Sequence, residues 1–148
     1  AAVEARGRDD IVIIARTARR ATHDLDEAIR RGQRYAEAGA DVIFIEAPQS
    51  RDEIQSIRNA LPGVKLLANM VEGGKTPYCG AAQLQDLGFA IALYPVTMLF
   101  AATQAIRTAL GELKTAGCIQ ATPLTDFSKF NTIMGLRDYL DRAARLKA

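Results

Sequence analysis

Four short apolar runs recur along the chain, and a stretch with helical spacing of apolar residues follows each of them. Within the runs, apolar residues occupy consecutive rather than alternate positions, which is typical of strands buried on both faces in a parallel sheet. The runs cover residues 11–15, 42–45, 64–68 and 89–94. Regular alternation of strands and helices therefore predicts an α/β fold with a parallel sheet.

The segments between the runs carry helix signals. Ser50 is a predicted N-cap with Glu53 as its capping-box partner, and Gly39 and Gly117 are predicted helix stops. Pro77 is placed to open a helix. The predicted helices cover residues 1–8, 24–38, 51–60, 80–87, 97–115 and 128–146, whereas residues 118–126 show no clear period.

Two architectures fit this alternation. One is a small doubly wound sheet, and the other is part of an eight-stranded βα barrel, which needs about 250 residues. Four strand–helix units in 148 residues amount to half a barrel. The pattern by itself leaves both architectures open.

Polar residues follow the apolar runs where the strands are expected to end. Arg16 follows the first run, Glu46 the second and Asn69 the third. Ligands of parallel α/β folds bind at the carboxyl ends of the strands, so we expect these side chains to share one edge. The loop 72–76 reads EGGKT, but a phosphate-binding loop would need glycine where Asn69 stands. We therefore interpret it as a loop that covers the site.

Charge and composition narrow the function classes. The net charge is +2, and no basic cluster is long enough to indicate nucleic acid binding. No apolar run approaches the roughly 20 residues of a membrane span, and no signal peptide is visible. The two cysteines fit neither a metal site nor a disulfide scaffold, which favours a cytosolic setting. Arg16, Arg19 and Arg20 lie close in sequence and suit a small anion.

Four strand ends, taken in order, carry a family resemblance. They are IVIIART at 11–17, GADVIFIEAP at 39–48, LLANMVEGGKTP at 66–77 and LGFAIALYPVT at 87–97. The chain resembles the isocitrate lyase and phosphoenolpyruvate mutase superfamily, in the branch of methylisocitrate lyase, oxaloacetate decarboxylase and carboxyphosphonoenolpyruvate mutase. The resemblance implies a (β/α)8 barrel of the TIM type, with strands five to eight in residues 1–117. Residues 118–148 would be a C-terminal helical extension that packs on a neighbouring subunit.

The resemblance also implies an activity. Family members use Mg²⁺, with Mn²⁺ as a substitute, and make or break C–C or P–C bonds of small 2-oxo or 2-hydroxy acids through an enolate. The motifs that supply the metal-binding aspartates and the Lys-x-Cys-Gly-His loop are absent from this chain, so no direct metal ligand is expected in it. The alternative is a catalytically incomplete half-barrel that only associates with a partner chain, and this piece alone is expected to be inactive.

The resemblance assigns roles to the strand-end residues. Arg16 would be catalytic and bind the substrate. Glu46 would contact the substrate, or it would contact the metal through a water molecule rather than as a direct ligand. Asn69, with the backbone N–H groups of Met70 and Val71, would bind a substrate carboxylate. The structural alternatives are an ion pair between Arg16 and Glu46 without chemistry, and a turn-capping role for Asn69. The family usually has Asp two residues after this arginine, where this chain has Ala18.

Other polar residues are expected to be structural. Tyr94, Cys79 and Cys118 are interpreted as packing residues, and His23 as a solvated or capping residue. Lys75 and Thr76 are weaker candidate ligands.

The resemblance also bears on the substrate and on assembly. Methylisocitrate lyases hold their extra carboxylate with two arginines, and the corresponding positions here are Phe100 and about Phe127. Two missing charges predict a smaller acid, such as oxaloacetate, a substituted malate or a phosphonopyruvate-like compound. The apolar residues of the tail predict a buried face, and the resemblance implies a homo-oligomer, namely a tetramer that exchanges its C-terminal helix.

Overall fold

The computed structural model describes residues 1–21 and 24–146. Four parallel strands form one sheet in the order β1-β2-β3-β4, so each strand pairs with the next one along the chain. The strands are β1 (Ile14–Thr17), β2 (Val42–Ile45), β3 (Lys65–Asn69) and β4 (Ile91–Leu93). The predicted parallel α/β fold is therefore confirmed.

Helices separate and follow the strands. They are α1 (Ala2–Arg6), α2 (Leu25–Glu37), α3 (Arg51–Ala60), α4 (Ala81–Asp86), α5 (Thr97–Ala116), α6 (Phe127–Ile133) and α7 (Leu136–Arg145), with one 3₁₀ turn at Arg19–Ala21. The chain divides into two compact units, Ala1–Phe100 and Ala101–Ala148. None of the helices in the described part of the chain combines the length and apolar character that a membrane crossing requires.

The core lies on the helix-covered face of the sheet. Ile43 is fully buried there, and Leu66 of the neighbouring strand is 1% exposed. Buried residues Ala28 of α2 and Ile57 of α3 pack against them, together with Leu61. Burying one such aliphatic side chain stabilises the fold by about 1.5–3 kcal/mol, so this layer holds the helices on the sheet.

The opposite face of the sheet carries a second apolar cluster. Val42, Phe44 and Leu67 are buried in it, and Ile91 packs against them. Ile14 pairs with Val42 in the parallel register and is 46% exposed. The site residues described below extend this face to the carboxyl ends of the strands.

Helix α2 approaches the sheet closely at Gly32. A Cβ atom at this position would lie 3.2 Å from the Cγ2 atom of Ile43 and 3.3 Å from the Cδ1 atom of Ile45. Such contacts are tighter than ordinary packing distances, and protein interiors leave little room to relieve them. The absence of a side chain therefore sets the distance between this helix and β2.

An ion pair ties the amino ends of the strands. The carboxylate of Asp41 accepts hydrogen bonds from the guanidinium of Arg6 and from the backbone N–H of Ile13, the latter at 2.7 Å. Hydrogen bonding by Ile13 lowers the pKa of Asp41, and the charge of Arg6 lowers it further. This contact joins α1, the chain before β1 and the chain before β2.

Strand β1 departs from the prediction because it begins at Ile14 rather than at residue 11. A ladder needs a partner, and its partner β2 begins only at Val42, which pairs with Ile14. Ile11 and Val12 are 59% and 63% exposed. β1 and β4 are the edge strands of the sheet. Burial on both faces was expected of every strand, and it is found for β2 but not for β1 or β4.

Two helix predictions need correction. Pro77 does not open a helix, because α4 begins at Ala81, after Cys79 has donated its backbone N–H to the sulfur of Met70 at 3.3 Å. The predicted single helix over 128–146 is two helices, α6 and α7. Gly135 lies between them in the left-handed conformation, with φ of 68°, which ends the first helix.

Within the second unit, Glu112 of α5 holds the loop that follows the helix. Its carboxylate accepts the backbone N–H groups of Gln120 at 2.6 Å, Ala121 at 3.2 Å and Thr122 at 2.9 Å, and also the Thr122 hydroxyl at 2.8 Å. Hydrogen bonding by Gln120 and Thr122 lowers the pKa of Glu112. One side chain thus fixes a segment that has no helical period of its own.

Candidate active site

Arg16 and Glu46 meet at the carboxyl edge of the sheet. The Nη2 atom of Arg16 lies 2.9 Å from the Oε2 atom of Glu46, and their side chains are 59% and 21% exposed. The backbone N–H of Glu46 donates to the carbonyl of Thr17 at 2.9 Å, which continues the ladder to this point. Arg16 lies inside β1 rather than just after it. The predicted proximity of the two side chains is therefore found, with the arginine inside the strand rather than after it.

The guanidinium of Arg16 also lies over an aromatic ring. Its Cζ atom is 5.5 Å from the centroid of Phe44, its register partner on β2. A cation over a ring face is attracted by the ring quadrupole, and this restricts the guanidinium further. Because more than half of the side chain stays exposed, Arg16 keeps donors for a ligand.

Asn69 ends β3 on the same face of the sheet. Leu67 pairs with Phe44, which pairs with Arg16, and Asn69 lies two residues beyond Leu67. The Oδ1 atom of Asn69 is buried and has no hydrogen-bond partner. Alternate strand residues share a face, so Asn69 extends the row that Arg16 begins.

A small cavity lies beside Asn69. Its volume is about 10 Å³, and its lining includes Ala47, Pro48, Met70 and Thr76. That is about the space of one water molecule, so a substrate cannot enter it.

The backbone at Ala47 has an unusual conformation. Among the residues that the structure describes, it is the one non-glycine residue with positive φ, at 58°. It follows Glu46 directly and precedes Pro48, and residues before proline normally adopt extended conformations. The left-handed conformation costs an L-residue about 1–2 kcal/mol, so the surrounding structure enforces the turn immediately after Glu46.

The structure corrects the expectation for Met70. Its backbone N–H donates to the carbonyl of Leu93 at 2.8 Å, and its sulfur accepts the N–H of Cys79. Met70 is also 1% exposed. Because its donor is used within the sheet, Met70 is not available to bind a substrate carboxylate, and Val71 alone stays a prediction as backbone donor.

Sequence reasoning did not assign a role to Glu72, which lies in the loop after β3. Its Oε1 atom accepts a hydrogen bond from the hydroxyl of Thr97, whereas its Oε2 atom is buried without a partner. Tyr78 lies nearby, and burial raises its pKa, with further contributions from Tyr94 and Glu72. The contact joins the loop after β3 to the first residue of α5. The loop after β3 is therefore held in place at this edge of the sheet, as is the turn at Ala47 after β2.

Arg20 and Glu53 form another contact that the sequence did not reveal. The Nε and Nη2 atoms of Arg20 lie 2.8 and 2.7 Å from the two carboxylate oxygens of Glu53. This pairing raises the pKa of Arg20 and lowers that of Glu53, against the opposing effects of burial. Arg20 is therefore bound within the protein, which corrects its interpretation as part of a small-anion site.

The remaining candidates have structural surroundings or lie outside the described residues. Tyr94 packs against an apolar cluster and its hydroxyl donates to the carbonyl of Cys79 at 3.3 Å, as expected of a packing residue. Cys79 is buried, but Cys118 is exposed, so the packing role predicted for Cys118 is wrong. Lys75 is exposed. His23 lies outside the described residues.

Comparison with known proteins identifies the family to which the chain belongs. The family model of phosphoenolpyruvate phosphomutase matches residues 1–114. The chain belongs to this family. Its membership confirms the resemblance to the isocitrate lyase and phosphoenolpyruvate mutase superfamily, and the sheet described above is four strands of that superfamily's (β/α)8 barrel.

Individual relatives in this family are acid lyases and hydrolases. The chain is 46% identical to 2,3-dimethylmalate lyase of Eubacterium barkeri over 92% of this chain and 47% of the relative. It is 47% identical to 2-methylisocitrate lyase of Bacillus subtilis over 72% of this chain and 35% of the relative. A solved structure of oxaloacetate acetylhydrolase with the product oxalate superposes with a TM-score of 0.87 at 30% identity, over 99% of this chain and 51% of that one. The chain thus spans about half the length of the curated relatives it matches.

The described residues do not form a metal site by themselves. Among them, no three His, Cys, Asp or Glu side chains are grouped closely enough to hold a metal ion. Glu46, the carboxylate that pairs with Arg16 in the described part of the chain, is already engaged in that ion pair. This set does not fit a resident divalent ion without further ligands.

Proposed function

We propose that the intact protein is a lyase that cleaves a C–C bond of a small 2-oxo or 2-hydroxy acid. The observation that carries this proposal is the exposed Arg16 guanidinium, held by Glu46 and Phe44 at the carboxyl edge of the sheet. In a 2-hydroxy acid, the hydroxyl group loses its proton to a base and becomes the carbonyl group of one product as the C–C bond breaks. The electron pair of the broken bond stays on the carbon next to a carbonyl or carboxylate group of the other product and forms an enolate, which is then protonated. A fixed guanidinium is suited to neutralise the charge that develops on the enolate oxygen.

The neighbouring residues have supporting roles in this proposal. Glu46 orients the guanidinium, and the amide nitrogen of Asn69 and the backbone N–H of Val71 bind a substrate carboxylate. The position of Asn69 at the end of β3, on the face of the sheet that carries Arg16, supports this role. The proton that quenches the enolate comes from a group outside residues 1–148.

The cofactor of the intact protein is proposed to be Mg²⁺, which Mn²⁺ can replace, on the strength of the resemblance alone. The described carboxylates do not complete a site for it. Glu46 would act behind the metal, through water or through Arg16, rather than as a direct ligand.

The proposed substrate is a dicarboxylic acid of the size of oxaloacetate or a substituted malate. According to the resemblance, the positions of the two carboxylate-binding arginines of methylisocitrate lyases hold Phe100 and about Phe127 in this chain. A tricarboxylate would lose two charged partners, each worth about 1.5–3 kcal/mol. Similarity to a dimethylmalate lyase supports the same choice. A mutase that rearranges a P–C bond is the second reaction type, supported by the family to which the chain belongs.

The test is a comparison of acids on the intact protein with Mg²⁺ present. Oxaloacetate, 2,3-dimethylmalate, 2-methylisocitrate and phosphonopyruvate are assayed for kcat/KM, with Arg16→Ala as the control for adventitious turnover. We expect one of the two dicarboxylic acids to give the highest value. A higher kcat/KM for 2-methylisocitrate would refute the assignment, and a higher value for phosphonopyruvate would establish the mutase reaction.

An alternative function, a non-catalytic half-barrel that only associates with a partner chain, is favoured by the exposed apolar face of the sheet. Ile14 and Leu93 are 46% and 42% exposed there, and Ile11 and Val12, which precede β1, are 59% and 63% exposed. Accordingly we expect residues 1–148 alone to be inactive, which an assay of this piece beside the intact protein would reveal. We also propose a cytoplasmic homo-oligomer, a tetramer that exchanges its C-terminal helix, and light scattering of the intact protein measures the subunit number.

A further inference from the structure

Two ion pairs connect the same two strand ends. The first joins Arg16 of β1 to Glu46, which follows β2. The second joins Arg20, four residues after Arg16, to Glu53 in the first turn of α3. Both guanidinium nitrogens of the second pair bond to separate carboxylate oxygens, at 2.8 and 2.7 Å. Such a fork fixes direction as well as distance.

Glu53 also holds the backbone that follows Glu46. Its Oε2 atom accepts the N–H of Gln49 at 2.8 Å, and its own N–H donates to the hydroxyl of Ser50 at 3.1 Å. Gln49 lies three residues after Glu46. A single carboxylate, itself anchored on α3, thus binds the loop after β1 through Arg20 and the loop after β2 through Gln49.

The second pair is more sheltered than the first. The side chains of Arg20 and Glu53 are 19% and 20% exposed, whereas that of Arg16 is 59% exposed. Sheltered charges are screened less by water and salt, so the attraction within this pair is the less screened of the two. A sheltered pair next to an exposed one can hold the loop that carries the exposed residue.

We propose that Glu53, acting with Arg20, is a positioning residue for Arg16 and Glu46. It fixes the spacing between the loops after β1 and β2, and thereby the direction of the Arg16 guanidinium toward the substrate. This inference rests on the proposed function, because the direction of Arg16 matters only if Arg16 assists a reaction. Displacements of about 1 Å at a reacting group can reduce the rate about 10²-fold, which gives such a contact a measurable consequence.

The chain offers a matched control for a purely structural effect. Asp41 also binds an arginine side chain and a backbone N–H, those of Arg6 and Ile13, but at the amino ends of the strands. Loss of either carboxylate removes the same kinds of contact. Only loss of Glu53 should disturb the carboxyl edge where Arg16 lies.

The experiment measures kcat/KM and the melting temperature of the intact protein for Glu53→Gln and Asp41→Asn, each alone and combined with Arg16→Lys. For Glu53→Gln we expect a loss in kcat/KM of about tenfold, the usual effect of removing a residue that orients a functional group. The loss should shrink to less than about twofold in the Arg16→Lys background, because coupled residues are not additive. Asp41→Asn should leave kcat/KM within about twofold of the parent protein, although it lowers the melting temperature. Arg20→Lys, which keeps the charge and loses the fork, should behave like Glu53→Gln.

Two results would overturn the proposal. One is a loss for Glu53→Gln no larger than that for Asp41→Asn, and the other is a loss that persists unchanged in the Arg16→Lys background. If the parent protein turns over none of the tested acids, the proposed function fails by itself, and amide hydrogen exchange then decides the positioning role. Glu53→Gln should accelerate exchange at Gln49 but not at Ile13, and Asp41→Asn should do the reverse. Equal exchange at Gln49 in the parent protein and in Glu53→Gln would end the inference.

Discussion

The guanidinium of Arg16 lies 2.9 Å from the carboxylate of Glu46 while it also lies over the ring of Phe44. Both contacts join neighbouring strands of a parallel sheet, so the backbone itself fixes their relative position. The pair leaves part of the guanidinium exposed, and this is the feature on which the proposed chemistry depends.

Arg16→Ala should lower kcat of the intact protein at least about 10²-fold, the typical cost of losing one donor to a developing oxyanion. Arg30→Ala is the matched control, because Arg30 is also 59% exposed and is also paired with a glutamate, Glu27, on α2. Steady-state kinetics of both variants are compared with the parent protein. Near-normal turnover by Arg16→Ala would remove Arg16 from the mechanism.

Gly32→Ala should destabilise the protein although alanine is the better helix former. The added Cβ would meet Ile43, Ile45 and the Cδ1 atom of Leu61 at 3.2–3.4 Å. Overpacking costs about 1–3 kcal/mol and the gain in helix propensity is about 1 kcal/mol, so we expect a net loss near 1 kcal/mol.

The matched variant is Gly111→Ala in α5, where an added Cβ meets nothing within 4 Å among the described residues. This change should stabilise the protein by up to about 1 kcal/mol. Urea unfolding of the two variants measures both effects. A gain in stability from both substitutions would show that the contact between α2 and β2 is less tight than described.

The carboxyl group of Glu27 should titrate far below its ordinary range. Hydrogen bonds from Arg31 and Arg30 lower its pKa from 4.5 to about 2. Since the folded pKa is the lower one, the stabilisation is complete above pH 4.5 and is lost as the pH falls through about 2. NMR titration of the side-chain carboxyl group measures this, and Arg31→Gln should move the midpoint upward. An unchanged midpoint in Arg31→Gln would contradict the assignment.

Glu112 should protect the loop after α5 in a pH-dependent way. Its pKa is lowered by hydrogen bonds from Gln120 and Thr122, so the protection is present above its ordinary value of 4.5 and disappears as the pH falls through the lowered value. Amide exchange at Gln120 and Thr122, corrected for intrinsic rates, should be faster in Glu112→Gln near neutral pH. The difference should vanish in acid, and Glu4→Gln in α1 serves as the control. Equal exchange at neutral pH would show that the loop is held by other contacts.

Much of the fold follows from local patterns. The apolar run of β2 and the capped segment of α3 fall at their predicted residues because the central strand and a polar N-cap each have a local signal. The edge strands were harder to place, since the start of β1 depends on where β2 begins and not on its own apolar residues. The break at Gly135 depends on a left-handed residue inside an otherwise helical pattern.

Some contacts of the candidate site could likewise be predicted from the sequence, and others could not. Arg16 and Glu46 could be brought together from sequence because both follow from the geometry of parallel strand ends. The Arg20–Glu53 pair could not, because neither residue directly ends a strand and Glu53 already satisfied a local capping pattern. The use of the Met70 N–H depends on the register of β4, which the sequence did not specify.

The turn at Ala47 limits which side chains evolution can place beside Glu46. A β-branched residue at a φ of 58° would clash with its own backbone, whereas Gly, Asn and Asp tolerate that conformation. Natural variation at this position should therefore be confined to a few small or short polar residues, and a library screened for folding should return the same short set.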